Sequence, residues 1–139
     1  MILAWASDIH LDHLEHVGFG EFCDRVRESR AVALLLGGDV ADATGLTGGL
    51  ARIRDELGLP VYFVLGNHDY YGGSVAAVRR QVAGLAAPPL CWLPAAGCVT
   101  LDDGLLLVGH GGWGDARHGD FEQAPILSDY LAIAELRLA

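Results

Sequence analysis

The sequence has no long apolar run, no surplus of basic residues and few cysteines, and each absence narrows the classes of protein to consider. No apolar stretch reaches the roughly 20 residues that cross a bilayer. The N-terminus MILAWASDIH has no basic region ahead of its apolar residues, so it does not resemble a signal peptide. We therefore expect a cytoplasmic protein with no membrane partner. The 139 residues suffice for one domain with a hydrophobic core, and we predict a single domain over 1–139.

The charge balance is acidic. The chain has 9 Lys and Arg against 18 Asp and Glu, which gives a formal net charge of −9. No basic surplus is present to neutralise a nucleic-acid backbone, so a nucleic-acid partner is disfavoured. An acidic protein can still act on a phosphate substrate if metal ions supply the positive charge.

The cysteines do not form a metal or redox motif. Cys23, Cys91 and Cys98 are odd in number, widely spaced and free of any C-x-x-C pair. We interpret them as small buried apolar side chains.

The first half of the chain alternates apolar runs with helical patterns. Strands are predicted over 2–7, 31–36 and 61–65, and helices over 12–28, 46–57 and 74–86. Gly58 is a predicted C-cap of the second helix and Ser74 a predicted N-cap of the third. Strands that are apolar on both faces and alternate with helices indicate a parallel sheet covered by helices, hence an α/β fold.

The pattern changes after Pro88-Pro89. Short apolar runs follow over 91–93, 98–101 and 105–109, and a helix is predicted over 126–138. Asp102-Asp103-Gly104 has the composition of a hairpin turn between the last two runs. A small antiparallel element is therefore expected beyond the parallel sheet.

Polar side chains follow each of the first three predicted strands. They are Asp8 and His10, then Asp39 and Asp42, then Asn67, His68 and Asp69. In open parallel sheets, functional residues gather at the carboxyl ends of the strands. If Asp8 and His10 continue an extended strand, both side chains point the same way and can share one cation. Gly37 and Gly38 allow a tight turn and a close backbone approach before Asp39.

The residue types fit a site with two metal ions. The carboxylate of Asp39 has two oxygens and can bridge two cations about 3.5–4 Å apart, a geometry used for displacement at phosphorus. Asn67 offers a neutral carbonyl oxygen, which limits the negative charge around the cations. His68 points elsewhere and is free to act as an acid or electrophile.

Each of these residues also has a purely structural interpretation. A single Asp at a strand end commonly forms a turn or caps a helix, Asp42 can cap the following helix, and Asp69 can accept hydrogen bonds from loop amides. His10 can belong, with His13 and His16, to a solvated group of histidines. These interpretations account for the residues one at a time but leave their recurrence at three strand ends unexplained.

The stretches SDIHLDH, LLLGGDVAD and VLGNHDYY resemble the successive motifs of calcineurin-like metallophosphoesterases. The resemblance implies that Asp8 and His10 bind a first divalent metal, that Asp39 bridges both metals and that Asn67 binds the second. It further implies that His68 protonates the leaving group or stabilises the transition state, with Asp42 pairing with this histidine. The implied metals are Mn, Fe, Zn or similar. The implied reaction is attack of a metal-activated hydroxide on a phosphoester substrate with inversion at phosphorus.

The family completes its site with later histidines, including a G-H-x-H pair, and this sequence contains no such pair. Its later histidines are His110 and His118, and whether either replaces the missing ligands stays open. We expect the parallel-sheet half of the family's αββα sandwich, with the chain truncated in its C-terminal part and the second sheet incomplete. An oligomer could cover the apolar surface left exposed. The alternative is a truncated or degenerate member that binds metal without turning over a substrate.

Overall fold

The computed structural model describes residues 1–14, 16–102, 104–112 and 127–137. The strands are β1 (Leu3–Ala6), β2 (Ala33–Leu36), β3 (Val61–Phe63), β4 (Leu90–Trp92), β5 (Cys98–Thr100) and β6 (Leu106–Val108). The helices are α1 (His16–Glu28), α2 (Leu46–Leu57), α3 (Val75–Leu85), α4 (Leu93–Ala96) and α5 (Asp129–Ala132). Two 3₁₀ turns cover His68–Tyr70 and Ala134–Leu136.

The first four strands form a parallel sheet in the order β1-β2-β3-β4. On one face, Leu34, Val61 and Leu90 are paired neighbours, and each is at most 1% exposed. Apolar side chains of α1, α2 and α3, such as Cys23 and Leu50, belong to the same core cluster. The valine and leucine side chains on this face are removed from water, and their burial is the main contribution to the stability of the sheet. The predicted α/β fold is confirmed.

The opposite face of the sheet is only partly covered. Trp5, Leu35, Tyr62 and Cys91 are paired in one row across the four strands. Trp5 is 75% exposed, and the other three are half-buried. The second sheet, within the described ranges, consists of the antiparallel pair β5-β6. A four-stranded parallel sheet with a small antiparallel sheet agrees with the expected architecture.

The predicted helices of the first half are confirmed, with small shifts at their ends. Gly58 is the C-cap of α2, since its φ of 63° is left-handed and its N–H donates to the carbonyl oxygen of Arg54. Ser74 caps α3, since its Oγ accepts a hydrogen bond of 3.1 Å from the N–H of Ala77. The helix α1 begins at His16 rather than at residue 12. No helix among the described residues is long and apolar enough to cross a membrane.

The hairpin is confirmed, and the cysteine interpretation holds in part. β5 and β6 pair antiparallel on either side of the predicted turn, where Gly104 has a φ of 82°. Cys23 is buried and Cys91 is half-buried, and burial raises the pKa of both thiols. The interpretation is wrong for Cys98, which is exposed together with Val108, its paired residue in the hairpin.

The helix predicted over 126–138 is wrong as a continuous element. The chain forms α5, then an extended residue at Ile133 (φ −109°, ψ 127°), then a 3₁₀ turn. Ile133 is fully buried in the core. The N–H of Gly72 donates to the carbonyl oxygen of Ala132, and the N–H of Ala134 donates to that of Gly73. These tertiary bonds replace helical ones. Residues 126 and 138 lie outside the described ranges.

Candidate metal centre

Three of the predicted metal ligands lie together at the carboxyl ends of β1 and β2. Asp8, His10 and Asp39 each offer one ligand atom, and these atoms lie within 4.8 Å of one another. Among the residues that the structure describes, this is the group of His, Cys, Asp and Glu side chains close enough to hold one ion.

The three residues share an uncommon backbone conformation. Asp8, His10 and Asp39 have φ values of 56°, 42° and 52°. Arg30 is the one other non-glycine residue with positive φ in the described part of the chain. A left-handed conformation costs about 1–2 kcal/mol per non-glycine residue, so it persists only where the surroundings impose it. The expectation that Asp8 and His10 continue an extended strand is therefore wrong, because the strand ends at Ala6.

Backbone hydrogen bonds between the two loops hold these conformations. The N–H of Asp8 donates to the carbonyl oxygen of Gly38 at 3.1 Å, and that of His10 donates to Asp39 at 3.1 Å. The N–H of Leu11 donates to the carbonyl oxygen of Val40 at 2.7 Å. The pairing of β1 with β2 thus continues past the strand ends and brings the three side chains together.

Glycines allow the loops after β2 and β3 to approach each other. Gly38 has a φ of 100°, and a Cβ placed on it would lie 2.5 Å from the backbone nitrogen of Gly66. A Cβ on Gly66 would overlap the Oδ1 atom of Asp39 and lie 2.9 Å from its backbone nitrogen. The predicted close approach before Asp39 is confirmed.

Asp69 ties the same two loops together from beneath. Its fully buried carboxylate accepts hydrogen bonds from the N–H groups of Asp39 (2.9 Å), Val40 (2.8 Å), Ala41 (3.1 Å) and Gly66 (2.8 Å). Burial raises the pKa of Asp69 to about 6. The backbone N–H donors act in the opposite direction, because they favour the ionised form. The structural interpretation, in which Asp69 satisfies loop amides, is confirmed.

His68 lies beside the metal-ligand group. Its ring is edge-on to that of His10, with 4.8 Å between centroids, and stacked on Tyr71 at 4.2 Å. Its backbone N–H donates to Oδ1 of Asp39 at 2.9 Å. The imidazole is therefore within the site, next to the ligands but held by aromatic contacts.

The side chain of Asp42 makes its observed hydrogen bonds with the turn just before α2. Its Oδ1 accepts hydrogen bonds from the N–H and hydroxyl of Thr44 (3.0 and 2.8 Å) and from the N–H of Gly45 (2.8 Å). These bonds, led by the Thr44 hydroxyl, lower the pKa of Asp42. In the described part of the chain no hydrogen bond joins Asp42 to His68. The interpretation of Asp42 as the cap of this helix is wrong, because the N-cap of α2 is Gly45, which provides no side-chain capping hydrogen bond. Asp42 instead fixes the turn that precedes α2, and its pairing with His68 stays a prediction.

Asn67 is held by two residues that the sequence did not identify. Its Nδ2 donates to Oδ1 of Asp129 at 2.8 Å and to the hydroxyl of Tyr71 at 3.3 Å. Tyr71 also donates to Oδ1 of Asp129 at 2.7 Å. Burial, together with this bond to Asp129, raises the pKa of Tyr71 to about 12, so its hydroxyl keeps the proton that it donates. Tyr71 is the last residue of the stretch VLGNHDYY, but Asp129 carries no local signal because it lies 62 residues from Asn67.

Two further histidines with described side chains, His13 and His110, lie outside the ligand group. His110 is exposed, and its Nδ1 accepts a hydrogen bond of 2.9 Å from the N–H of Gly112. His13 is exposed and contacts Asp12 at 3.3 Å. His118 lies outside the described residues.

The ligand set suits the divalent metals that the sequence implied. Two carboxylates and an imidazole form an oxygen and nitrogen donor set that suits Mn, Fe or Zn, whereas Cu(I) prefers thiolate and thioether ligands. Three strained residues at one point, each held by its surroundings, are typical of a functional site. Asp8, His10 and Asp39 therefore fit a first metal ion.

The comparisons with known proteins agree with the site. The sequence matches the family model of the calcineurin-like phosphoesterases over residues 1–137, and the chain belongs to this family. No curated protein and no solved structure gave a significant match.

Proposed function

We propose that this protein is a metal-dependent phosphoesterase that hydrolyses a phosphoester substrate. The observation that carries the proposal is the convergence of Asp8, His10 and Asp39 in left-handed conformations, with ligand atoms within 4.8 Å of one another. Membership of the calcineurin-like phosphoesterases supports the reaction class.

Two cations are proposed, held by residues of three strand ends. Asp8, His10 and Asp39 would hold the first, and Asp39 and Asn67 the second. Divalent ions there would offset the acidic charge, attract the phosphate group and lower the pKa of a water molecule. The described hydrogen bonds give Asp39 a fixed position for a bridging role, since its Oδ1 accepts from the N–H of His68.

His68 is proposed as the acid that protonates the leaving group. Its ring lies between His10 and Tyr71, so stacking orients it beside the ligands without using its nitrogens. Asp42 is proposed as the carboxylate that raises the basicity of this imidazole. Its Oδ1 already accepts hydrogen bonds from Thr44 and Gly45, so the second oxygen is the atom proposed for His68.

The test is turnover of bis(p-nitrophenyl) phosphate and p-nitrophenyl phosphate by the Mn²⁺-supplemented protein. We expect Asp39→Asn to lower kcat by about 10²-fold or more, with loss of bound metal. His68→Ala should lower kcat by about 10²–10⁴-fold while metal content is retained.

Asp55→Asn is the matched control for the carboxylate, because Asp55 is exposed on α2 and pairs with Arg54. It should leave turnover unchanged. Turnover that survives both Asp39→Asn and His68→Ala would refute the assignment of the site.

A second candidate is a family member that binds metal without catalysis. It is favoured by the small number of ligands available to the second cation. In the described part of the chain these are Asp39 and Asn67, and no histidine joins them. Tight metal binding without turnover on either substrate would support this candidate over the first.

A further inference from the structure

The segment 127–137 docks on the loop that follows β3. Ile133 is fully buried, and backbone bonds join Ala132 and Ala134 to Gly72 and Gly73. The carboxylate of Glu135 accepts hydrogen bonds from the first N–H groups of α3. A distant part of the chain thus lies against the stretch that carries Asn67.

Asp129 is the residue of this segment that faces Asn67. It is 7% exposed, and its Oδ1 accepts one hydrogen bond from Asn67 and one from Tyr71. A carboxylate this well buried normally has hydrogen-bond donors around it, and here two of them belong to the GNHDYY stretch. The contact is therefore directed at the predicted metal ligand and its neighbour.

The chemistry of the contact fixes the orientation of the Asn67 amide. An amide has a donating and an accepting end of nearly the same shape, so packing alone hardly distinguishes its two orientations. An ionised carboxylate accepts only, so it selects the orientation in which Nδ2 faces Asp129. Oδ1 then faces away, and no described residue donates a hydrogen bond to it. A cation ligand needs this oxygen, whereas the NH₂ group would repel the cation.

We propose that Asp129 is a positioning residue that holds the carbonyl oxygen of Asn67 available to the second cation. Tyr71 assists, because its hydroxyl bonds the same carboxylate while its ring stacks on His68. The inference rests on the proposed function, since the ligand role of Asn67 is part of it. It assigns the segment 127–137 a part in completing the metal centre.

The sequence offers an unusually direct probe, because Asn67 is its single asparagine. Protein labelled with ¹³C,¹⁵N-asparagine gives one side-chain NH₂ pair and one side-chain carbonyl signal. In the metal-free protein, we expect one NH₂ proton to be shifted downfield and protected from solvent exchange by Asp129. On titration with Zn²⁺ alone, the carbonyl carbon should move while the NH₂ pair keeps its hydrogen-bonded shift.

Asp129→Ala tests the residue directly. We expect the downfield NH₂ signal to be lost and the second equivalent of Zn²⁺ to bind about 10–100-fold more weakly, with the first equivalent unchanged. Glu135→Gln is the matched control, because it removes a carboxylate of the same segment that contacts α3 instead. It should leave both the Asn67 signals and the second equivalent as in the unaltered protein.

Three outcomes would overturn the proposal. The first is an Asn67 NH₂ pair in the unaltered protein whose protons exchange freely with solvent, or whose signals shift with Zn²⁺ while the carbonyl signal does not. This measurement does not depend on the folding of any variant. Another is an Asp129→Ala protein with unchanged signals and affinity. The third is equal weakening by Asp129→Ala and Glu135→Gln, which would assign Asp129 to docking alone. Absence of phosphoesterase turnover would count against the proposed function only, since no substrate enters these measurements.

Discussion

Replacing Gly66 by alanine should displace the Asp39 carboxylate and so weaken metal binding, although Gly66 is not itself a ligand. The added Cβ would overlap Oδ1 of Asp39 and lie 2.8 Å from Cγ and 2.9 Å from the backbone nitrogen of the same residue. The backbone nitrogen also donates to Asp69, so it cannot move freely. The side chain of Asp39 must therefore shift.

The magnitude follows from two contributions. Overpacking in a well-packed region costs about 1–3 kcal/mol. Moving Oδ1 of Asp39 breaks its 2.9 Å bond from the N–H of His68, and a hydrogen bond to a charged group contributes about 1.5–3 kcal/mol. We expect Gly66→Ala to lower the free energy of unfolding by roughly 2.5–6 kcal/mol. The affinity for the first Zn²⁺ equivalent should fall by about 10-fold or more, given the sensitivity of metal sites to ligand position.

Urea unfolding and calorimetric Zn²⁺ titration measure the two effects. Gly84→Ala is the matched control, since a Cβ at Gly84 in α3 meets no atom within 4 Å. It should stabilise the helix by up to about 1 kcal/mol and leave metal affinity unchanged. Asp39→Gly suits the positive φ of residue 39 and removes the overlapping atoms.

A double-mutant cycle isolates the predicted clash. In the Asp39→Gly background, Gly66→Ala should cost less than in the unaltered protein by about 1–3 kcal/mol. The residual cost reflects the contact with the backbone nitrogen of residue 39. Additive effects, or a Gly66→Ala protein that binds Zn²⁺ like the Gly84→Ala control, would refute the reasoning.

Two further predictions concern the residues that hold the loops and the docked segment. Asp69→Asn should lower the free energy of unfolding by about 1.5–3 kcal/mol or more, because the NH₂ group of the new amide cannot accept the backbone N–H bonds that the carboxylate accepts. A loss below about 1 kcal/mol in urea unfolding would contradict the role of Asp69 in tying the two loops together. Glu135 has its pKa lowered from its ordinary value of 4.5 by bonds from the N–H groups of Ala76 and Val75. Its stabilising effect is therefore present above pH 4.5 and lost as the pH falls through the lowered pKa, so the Tm difference between the unaltered protein and Glu135→Gln should shrink on acidification. A Tm difference that is constant or grows toward low pH would contradict this assignment.

Local patterns predicted the elements whose signals are complete within a short stretch. The bounds 46–57 of α2, the Gly58 C-cap, the Ser74 N-cap and the hairpin turn all depend on residues near one another in sequence. The helix predicted over 126–138 failed because Ile133 is buried by a distant part of the chain, and burial in the core outweighs local helix propensity.

In the candidate site, too, the sequence predicted some features correctly and others only the structure shows. The recurrence of polar residues after three apolar strands predicted that Asp8, His10 and Asp39 meet, and they do. The predicted reason was wrong for Asp8 and His10, whose positive φ values arise from hydrogen bonds to the neighbouring loop. Sequence periodicity does not register such inter-loop bonds.

By itself, the sequence determined the parallel α/β sheet, the family and the residue types at each strand end, because hydrophobic periodicity and turn chemistry are local properties. Only the tertiary structure decided the left-handed loops, the clamping of two loops by Asp69 and the contact of Asp129 with Asn67. Each of these contacts joins residues at least 28 positions apart, except for the bond from Gly66 to Asp69. Such contacts depend on how the elements pack, and no short pattern encodes them.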